Sequence, residues 1–385
     1  MGWMVPLRKM DEAQQLALRQ CADITAEQPK WIEGFAGSGK TVLLVHAIQS
    51  YLQKNPGSIV CIVVFTLALK DLISSGISPE FSDRIPVMTY PNFVKNGNKQ
   101  YDLVVVDEVQ DIPANILSAI RMRASKLLIG GDDAQSIYAN GSRAEIIESI
   151  LHPNRVKLPR SYRLTRKIIN VIKNILPDSN IAHETSGRMQ EVQITLAHAD
   201  SVELELNWVW HQAKRETSIS DPSVVVLPNH KSIQDFMRLI AKQEGRPAPE
   251  FPDNRWKKTD YSVANQHFLK VGAGICVQYL GNDFGSLVDS ESRTIVYVMT
   301  YHSSKGLDFK TVFLPLLTSN TTFWRGSDDI DRRLFFVGAT RSYCNLFMSY
   351  HGLAPHKYVQ EMPQDELYKF EIDKIQKQDD EDFIF

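Results

Sequence analysis

The stretch "WIEGFAGSGKTVLLVHAI", residues 31–48, places a glycine-rich turn between two apolar runs. Residues 34–41 within it read Gly-Phe-Ala-Gly-Ser-Gly-Lys-Thr and match the pattern G-x-x-x-x-G-K-[ST] at every fixed position. Glycines allow backbone N–H groups to turn inward around a phosphate, and the helix that follows points its positive end at that anion. The stretch therefore predicts a phosphate-binding loop between a strand and a helix.

The residues of this loop have separate expected roles. Lys40 supplies a positive charge to the outer phosphates of a nucleotide, and the Thr41 hydroxyl can bind Mg²⁺. The remaining contacts come from the backbone of Gly34, Gly37, Ser38 and Gly39. An accidental glycine turn before a helix is the alternative, and the strand-like run "KWIEGF" (30–35) ahead of the loop argues against it.

A second acidic group fits the same metal. The run "YDLVVVDEVQDI" (101–112) contains an apolar strand that ends in Asp107 and Glu108. Asp107 at the strand tip is predicted to complete the Mg²⁺ shell. Glu108 is predicted to polarise the attacking water as general base. The alternative is that Asp107 and Glu108 are simply a solvated acidic strand end. The phosphate loop makes that interpretation the less favoured one.

The pattern of apolar runs predicts an α/β fold. Residues 58–66, 101–107, 126–130 and 223–227 are continuous apolar runs, typical of parallel strands covered on both faces. Helical stretches lie between them, and the alternation restarts after about residue 155. We therefore predict a first parallel-sheet domain over 1–155 and a second over 156–385. The second is expected to carry an irregular loop and hairpin insertion at about 244–292.

Composition narrows the class of protein. A chain of 385 residues with 43% apolar and 23% charged residues suits two globular domains. The net charge of −2 gives no global basic signature, so nucleic acid would bind in a local groove. The four dispersed cysteines argue against a zinc site or a disulfide framework and indicate a reducing compartment. Without a secretory signal or a membrane-length apolar run, we expect a cytoplasmic protein with no membrane partner.

Four segments, in order, carry a family resemblance: "DEVQD" (107–111), "GGDDAQSIY" (130–138), "YHSSKGLDF" (301–309) and "RRLFFVGATR" (332–341). They resemble the motifs of UvrD/Rep-like superfamily 1 helicases, and the resemblance covers about residues 10–345. It implies two RecA-like motor domains with ATP and Mg²⁺ in the cleft between them. It also implies movement along single-stranded nucleic acid, DNA rather than RNA, usually in the 3′ to 5′ direction.

The resemblance assigns further roles residue by residue. Gln14 resembles the glutamine that reads the adenine edge, and Tyr162 the ring that stacks on the base. Gln135 resembles the residue that senses the γ-phosphate. Arg163 resembles an arginine that reaches this phosphate from the second domain, and Arg341 a second arginine finger. A guanidinium that arrives on domain closure would neutralise charge developing during phosphoryl transfer.

The later motifs add contacts to nucleotide and to nucleic acid. Lys305, Gly306 and Asp308 resemble a loop that touches the ribose on one side and the nucleic-acid backbone on the other. Five residues resemble contacts to the single strand: Phe65, Thr66, Thr89, Tyr90 and His302. Aromatic stacking with backbone contacts would bind single strands without sequence preference.

The sequence departs from the family pattern in three places. Asn140 stands where a base-stacking tryptophan is usual, and an amide has no comparable π-face. Leu67-Ala68 replaces the usual Asn-Lys. Only 17 residues (90–106) separate Thr89 from Asp107, which leaves no room for a large helical subdomain. The sequence therefore predicts a minimal motor core without the accessory subdomains.

Three functions remain open at this point. The first is an ATP-dependent translocase or helicase on single strands. The second is a nucleic-acid-stimulated ATPase that regulates a protein partner, such as a nuclease in repair or anti-phage defence, with little unwinding of its own. The third is a decayed binding module, which the retention of every catalytic motif residue disfavours.

Overall fold

The computed structural model describes residues 3–22, 24–25, 28–177, 185–188, 192–253, 258–270, 274–281 and 284–372. The described residues divide into two compact units. The first lies within Met1–Leu164 and Asp178–Arg188, and the second within Thr165–Pro177 and Met189–Phe385.

The first unit is built on a sheet of six strands that all run parallel, in the spatial order β3-β2-β4-β5-β1-β6. Its strands, within the described residues, are β1 (Lys30–Gly34), β2 (Val60–Val64), β3 (Val87–Thr89), β4 (Tyr101–Val106), β5 (Ala124–Gly131) and β6 (Asn154–Leu158). Its helices are α1 (Glu12–Ala22), α2 (Lys40–Lys54), α3 (Leu67–Gly76), α4 (Tyr90–Lys95), α5 (Ala114–Arg123) and α6 (Ala144–Leu151).

Strand β4 shows why the continuous apolar runs become central strands. Leu103 and Val105 pack into the core on one face of the sheet, and Val104 and Val106 pack into the core on the other. All four side chains are fully buried. Because both faces are covered by helices, every position of the strand favours an apolar residue. This confirms the predicted α/β class.

The parallel arrangement gathers the ends of the strands at one edge. The residues that follow strands β1 to β5 therefore lie along the same carboxyl edge of the sheet, where α/β proteins bind ligands. They are the phosphate loop after Gly34, then Phe65, Tyr90, Asp107 and Asp132.

The second unit contains a parallel sheet of seven strands in the order β11-β12-β10-β13-β14-β9-β15. Its described strands are β9 (Ile194–Ala199), β10 (Ser223–Leu227), β11 (Cys276–Tyr279), β12 (Ile295–Thr300), β13 (Phe309–Leu314), β14 (Ser342–His351) and β15 (Tyr368–Glu371). Its helices are α7 (Arg166–Ile172), α8 (Val202–Glu216), α9 (His230–Gln243), α10 (Tyr261–Lys270), α11 (Asp328–Ala339) and α12 (Lys357–Gln360).

The boundary between the units lies later than the predicted position near residue 155. Strand β6 pairs in parallel with β1, so the residues just beyond 155 complete the first sheet. Strands β7 (Arg160–Thr165) and β8 (Thr185–Arg188) then form a separate two-stranded sheet. Arg163, which the sequence assigned to the second domain, therefore belongs to the first unit.

The segment 244–292, predicted to be an irregular loop and hairpin insertion, also contains regular elements. The described part of this segment contains helix α10 and strand β11, and β11 pairs in parallel with β12. Asn265 on α10 fixes the end of β11, because its amide donates to the Tyr279 carbonyl at 2.9 Å and accepts from the Tyr279 N–H at 2.8 Å. Gly281 and Phe284 form an antiparallel bridge at the position of the predicted hairpin.

In the described part of the chain, none of the helices has both the length and the apolar character that crossing a bilayer requires.

A buried carboxylate on α8 fixes a strained turn in the second unit. Glu205 Oε1 accepts from the Leu316 N–H at 2.6 Å and from the Ser349 hydroxyl at 2.7 Å. Its Oε2 lies 2.6 Å from Nδ1 of His351. Leu316 has a φ of +63°, a left-handed conformation that costs about 1–2 kcal/mol. Glu205 thus holds the backbone at the start of the segment 316–326.

Glu205→Ala is expected to destabilise the second unit by at least about 2 kcal/mol, because the Leu316 N–H and the Ser349 hydroxyl would lose a buried acceptor. Urea unfolding followed by tryptophan fluorescence measures this change. Glu203→Ala is the matched control on the same helix, since Glu203 makes only an exposed ion pair with Lys242. The control should change the free energy of unfolding by less than about 0.5 kcal/mol. Equal effects of the two substitutions would contradict the role of Glu205.

Candidate active site

The phosphate loop has the backbone geometry that its glycines predict. Gly37 and Gly39 have φ angles of +76° and +88°, in the region that glycine adopts most readily. Helix α2 begins directly after the loop, at Lys40. The Lys40 ammonium donates to the carbonyl oxygens of Gly34 at 2.6 Å and Phe35 at 3.1 Å. These contacts hold the lysine charge over the loop.

Strand β7 packs directly against the loop. The Tyr162 N–H donates to the Gly37 carbonyl at 2.8 Å, and the Ser161 hydroxyl donates to the Ala36 carbonyl at 2.8 Å. A Cβ atom added at Gly37 would lie 2.3 Å from the Cβ of Arg163. The glycine is therefore required by close packing as well as by its φ angle. Arg163 is thus next to the phosphate loop within the first unit.

The loop and strand β4 together fit a magnesium–phosphate group. The Thr41 hydroxyl donates to Asp107 Oδ2 at 2.7 Å, and both groups are ordinary Mg²⁺ ligands. Across the described residues no cluster of three or more His, Cys, Asp or Glu could hold a metal alone. The hydroxyl of Ser38 is buried in the loop and has no hydrogen-bond partner within the described chain. This donor set suits a cation that shares its shell with phosphate oxygens and water.

Electrostatics at Asp107 favour a cation. Burial, followed by the adjacent Glu108 carboxylate, raises the pKa of Asp107 above its usual range. The hydrogen bond from Thr41 and the charge of Lys40 act in the opposite direction. A divalent cation at this position would stabilise the charged form of Asp107 and so offset the cost of burying it, because a bound metal is the largest local charge in such a site.

The predicted general base belongs to a chain of hydrogen bonds. Glu108 has a φ of +52°, which is uncommon for a residue other than glycine and typical of strained functional sites. The Gln110 amide donates to Glu108 Oε2, and its oxygen accepts from the Asp132 N–H at 3.2 Å. The Gln135 amide then donates to Asp132 Oδ2 at 2.8 Å. These bonds link the predicted base to the predicted γ-phosphate sensor.

Gln14 lies beside the loop and forms a reciprocal cap. Asp11 Oδ1 accepts from the Gln14 N–H at 2.9 Å, and Gln14 Oε1 accepts from the Asp11 N–H at 3.4 Å. A Cβ atom at Gly39 would lie 2.7 Å from Gln14 Nε2. The Tyr162 hydroxyl donates to Asp11 Oδ2. The structure thus brings Gln14, Tyr162 and the phosphate loop together.

The predicted strand contacts of the first unit form an aromatic cluster at the ends of β2 and β3. The ring of Phe65 lies 5.3 Å from that of Tyr90 and 4.1 Å from that of Tyr138, between centroids. Thr66 has a structural role, because its hydroxyl caps α3 by accepting from the Leu69 N–H at 3.2 Å. Thr89, at the end of β3, is buried.

The second unit holds the remaining predicted contacts on the loop after β12. The His302 ring lies 5.3 Å from the Trp324 ring, between centroids. Burial, and then the charges of Lys305 and His230, lower the pKa of His302 to about 4. His302 is therefore neutral near pH 7 and would contact a ligand by stacking or hydrogen bonding rather than by charge.

The rest of this loop is held in a fixed conformation. Lys305 is buried, and Gly306 has a φ of +81°, which a glycine adopts without strain. The side chain of Asp308 is exposed.

Arg341 is buried within the second unit. Its guanidinium donates to the Val337 carbonyl at 2.8 Å, the Leu307 carbonyl at 3.0 Å and the Thr340 hydroxyl at 2.9 Å. The Phe309 N–H also donates to the Arg341 carbonyl at 2.9 Å. These contacts join the end of α11 to the loop that contains Gly306, so Arg341 connects the last two sequence motifs.

Four residues of the first unit bond to or pack against candidate site residues, although no role was predicted for them. Asp11 could be found from the D-x-x-Q spacing of a capping box. Gln110, Asp132 and Tyr138 lie inside the recognised motifs, but their partners are distant in sequence and appear only in the fold.

Gly37→Ala is expected to weaken ATP binding and to destabilise the first unit by roughly 1–2 kcal/mol or more from the backbone conformation alone. The added methyl group would also displace strand β7 at Arg163. Titration with a fluorescent ATP analogue and thermal unfolding measure the two effects. Gly57→Ala is the control, because a Cβ atom there meets nothing within 4 Å. Identical affinity and melting for the two variants would rule out this packing role.

Two family models match the chain in separate regions. The viral superfamily 1 RNA helicase core domain matches residues 30–213, which include the phosphate loop and the aromatic cluster. The UvrD-like helicase C-terminal domain matches residues 280–352, which include the loop after β12 and Arg341.

Curated relatives match shorter segments. The ATP-dependent DNA helicase srs2 of Schizosaccharomyces pombe is 43% identical over 63 residues, which are 16% of this chain and 7% of that protein. The ATP-dependent DNA helicase Rep of Buchnera aphidicola subsp. Baizongia pistaciae is 35% identical over 89 residues, 19% of this chain and 13% of that protein. The chain therefore matches only a small part of the length of either relative.

Solved viral helicases show a distant likeness. Arterivirus nonstructural protein 10 gives a TM-score of 0.44 at 16% identity, over 90% of this chain and 63% of that chain. The PRRSV helicase gives 0.46 at 15% identity, over 90% of this chain and 56% of that chain. Scores below 0.5 add nothing to the assignment. The two family matches and the short curated matches support the resemblance to UvrD/Rep-like superfamily 1 helicases.

Proposed function

We propose that this chain hydrolyses ATP with Mg²⁺ to move along single-stranded nucleic acid, as a minimal translocase or helicase. One observation carries the proposal. The candidate hydrolytic residues and the candidate strand-contacting rings lie along the same edge of one sheet, and the segment 130–138 contributes to both sets.

On the nucleotide side, each group has a role that its contacts support. Lys40 would release the loop carbonyls and bind the outer phosphates, while Thr41 and Asp107 would hold Mg²⁺. Glu108 would accept a proton from the attacking water. Gln135 would respond to the γ-phosphate through its bond to Asp132. Mg²⁺ itself would neutralise charge that develops on the phosphates.

The two arginines enter the proposal on different grounds. Arg163 lies against Gly37, and from there its guanidinium would reach the phosphates. Arg341 is proposed as a finger from the motif resemblance. In that role it would exchange its bonds to the Val337 and Leu307 carbonyls for a phosphate oxygen, which would also release the loop at Gly306.

The strand side of the proposal rests on the aromatic cluster of Phe65, Tyr90 and Tyr138. Stacked aromatic rings bind bases of any sequence, as a translocating protein requires. Gln135 and Tyr138 lie three residues apart on one short segment. A movement of Gln135 in response to the γ-phosphate would therefore be transmitted through the backbone to the ring of Tyr138. This arrangement would couple hydrolysis to grip on the strand.

The preference for DNA and the 3′ to 5′ direction come from resemblance alone. Both curated relatives are described as ATP-dependent DNA helicases. We therefore propose DNA as the substrate and 3′ to 5′ as the polarity.

A second candidate is a nucleic-acid-stimulated ATPase that regulates a protein partner such as a nuclease. The observation that favours it is Asn140, which is exposed and offers no ring at a position where the family stacks a base. In addition, the described residues between β3 and β4 form only the short helix α4 and its loop, with no added subdomain.

Glu108→Gln should keep ATP binding and reduce turnover by roughly 10²–10⁴-fold, the usual loss when a general base is removed. Phosphate release measured with and without single-stranded DNA gives the turnover. Glu145→Gln, an exposed residue at the start of α6, is the control and should hydrolyse ATP like the wild type. Normal turnover by the Glu108 variant would mean that another group is the base.

The substrate and the two candidate functions are separated by two further assays on the wild type. We expect single-stranded DNA to stimulate hydrolysis more than RNA, and a 3′-tailed duplex to be displaced in preference to a 5′-tailed one. Stimulation without displacement would favour the regulatory ATPase, and hydrolysis indifferent to either nucleic acid would contradict both.

A further inference from the structure

A single carboxylate beside the phosphate loop joins two parts of the first unit that are distant in sequence. Asp11 directly precedes helix α1, and its Oδ1 accepts from the Gln14 N–H at 2.9 Å. Its Oδ2 accepts from the hydroxyl of Tyr162, which lies 151 residues further along the chain. Arg160 Nη1 lies 3.6 Å from the same oxygen. Asp11 therefore connects the start of α1 to strand β7.

The bond between Asp11 and Tyr162 is charge-assisted. Burial raises the pKa of the Asp11 carboxyl, but the hydrogen bonds from Tyr162 and Gln14 and the charge of Arg160 outweigh burial and leave this pKa below its usual range. Burial, and then the Asp11 carboxylate, raise the pKa of Tyr162, so the hydroxyl keeps the proton that it donates. Such a bond is stronger than one between neutral groups.

The side chain of Tyr162 is held at two points. Its backbone N–H donates to the Gly37 carbonyl of the phosphate loop, and its hydroxyl is bound by Asp11. The residue is only half-buried, so part of the ring stays open. A ring that is fixed next to a phosphate loop is suited to stack on the base of a nucleotide whose phosphates lie in that loop.

The amide of Gln14 is directed by the same residue. Its Oε1 accepts from the Asp11 N–H at 3.4 Å, and a carbonyl oxygen has a second lone pair to offer. Its Nε2 lies beside the loop, 2.7 Å from where a Cβ atom on Gly39 would be, and has no acceptor among the described residues. An amide that offers one donor and one acceptor complements the N7 and N6 edge of adenine, whereas guanine presents two acceptors there.

We propose that Asp11 is a positioning residue that sets the base selectivity of the nucleotide site, adenine over guanine, by holding the Tyr162 ring and the Gln14 amide in one fixed relation. Asp11 acts through these two side chains and does not itself touch the reacting groups. This proposal rests on the proposed function, because it requires a nucleoside triphosphate at the phosphate loop.

The test is hydrolysis of ATP and of GTP by the full chain, measured as phosphate release with single-stranded DNA present. Asp11→Ser keeps a cap for α1 but is too short to hold Tyr162 as well, and Tyr162→Phe keeps the ring without the hydroxyl. Each variant should raise the KM for ATP roughly 2- to 10-fold, the loss of one hydrogen bond, with a much smaller change in kcat at saturating ATP.

The preference for ATP over GTP, as the ratio of kcat/KM values, should fall by about the same factor in both variants. Because the two substitutions remove the same bond, the double variant should lose no more than the more affected single variant. A role confined to stability would leave the preference unchanged.

Glu12→Gln is the matched control, because Glu12 is the neighbouring acidic residue and is exposed at the start of α1. It should keep the wild-type KM and the wild-type preference. An unchanged preference in both Asp11→Ser and Tyr162→Phe would overturn the proposal, as would a wild type that uses GTP as well as ATP. Either result leaves the proposed function intact, because the wild type still hydrolyses ATP. A wild type that hydrolyses neither nucleotide would defeat the proposed function and this inference with it.

Discussion

The hydrogen bond between the Thr41 hydroxyl and the Asp107 carboxylate joins two parts of the chain that only the fold brings together. Thr41 lies on the helix after β1, and Asp107 follows β4, with strand β5 between them in the sheet. Gly130 on β5 keeps this space open, because a Cβ atom there would lie 2.8 Å from Leu44 and 3.5 Å from Asp107. Burial raises the pKa of Asp107, and a divalent cation beside it would stabilise the charged form of this carboxylate. Glu108 follows Asp107 directly, and hydrogen bonds through Gln110 and Asp132 connect it to Gln135.

Much of the first sheet and the conformation of the phosphate-loop segment could be predicted, since both depend on local patterns. Continuous apolar runs gave β2, β4, β5 and β10, and the spacing of the glycines gave the loop. Elements with mixed patterns were missed. Strand β14 alternates buried and half-buried residues, and β6 has exposed polar positions. The position of Arg163 in the first unit depends on hydrogen bonds from Ser161 and Tyr162 to the phosphate loop. Ser161 and its partner in the loop are 125 residues apart in sequence, and no local pattern encodes such a contact.

The two units differ in how their functional groups are held. In the first, Thr41 donates to Asp107, and Gln110 and Asp132 link Glu108 to Gln135 by hydrogen bonds. In the second, the Arg341 guanidinium donates to the Val337 and Leu307 carbonyls and to the Thr340 hydroxyl. The buried carboxylates of Glu205 and Asp331 accept hydrogen bonds from the backbone N–H groups of Leu316 and Trp324 in this unit.

The central claim is that Thr41 and Asp107 hold a divalent cation jointly with a bound triphosphate. Electron paramagnetic resonance of Mn²⁺, used in place of Mg²⁺ with a non-hydrolysable ATP analogue, tests it most directly. The wild type and Glu145→Gln should bind Mn²⁺ tightly only when the analogue is present, and Asp107→Asn should lose that nucleotide-dependent binding. Unchanged Mn²⁺ affinity in Asp107→Asn, with the analogue bound, would contradict the account.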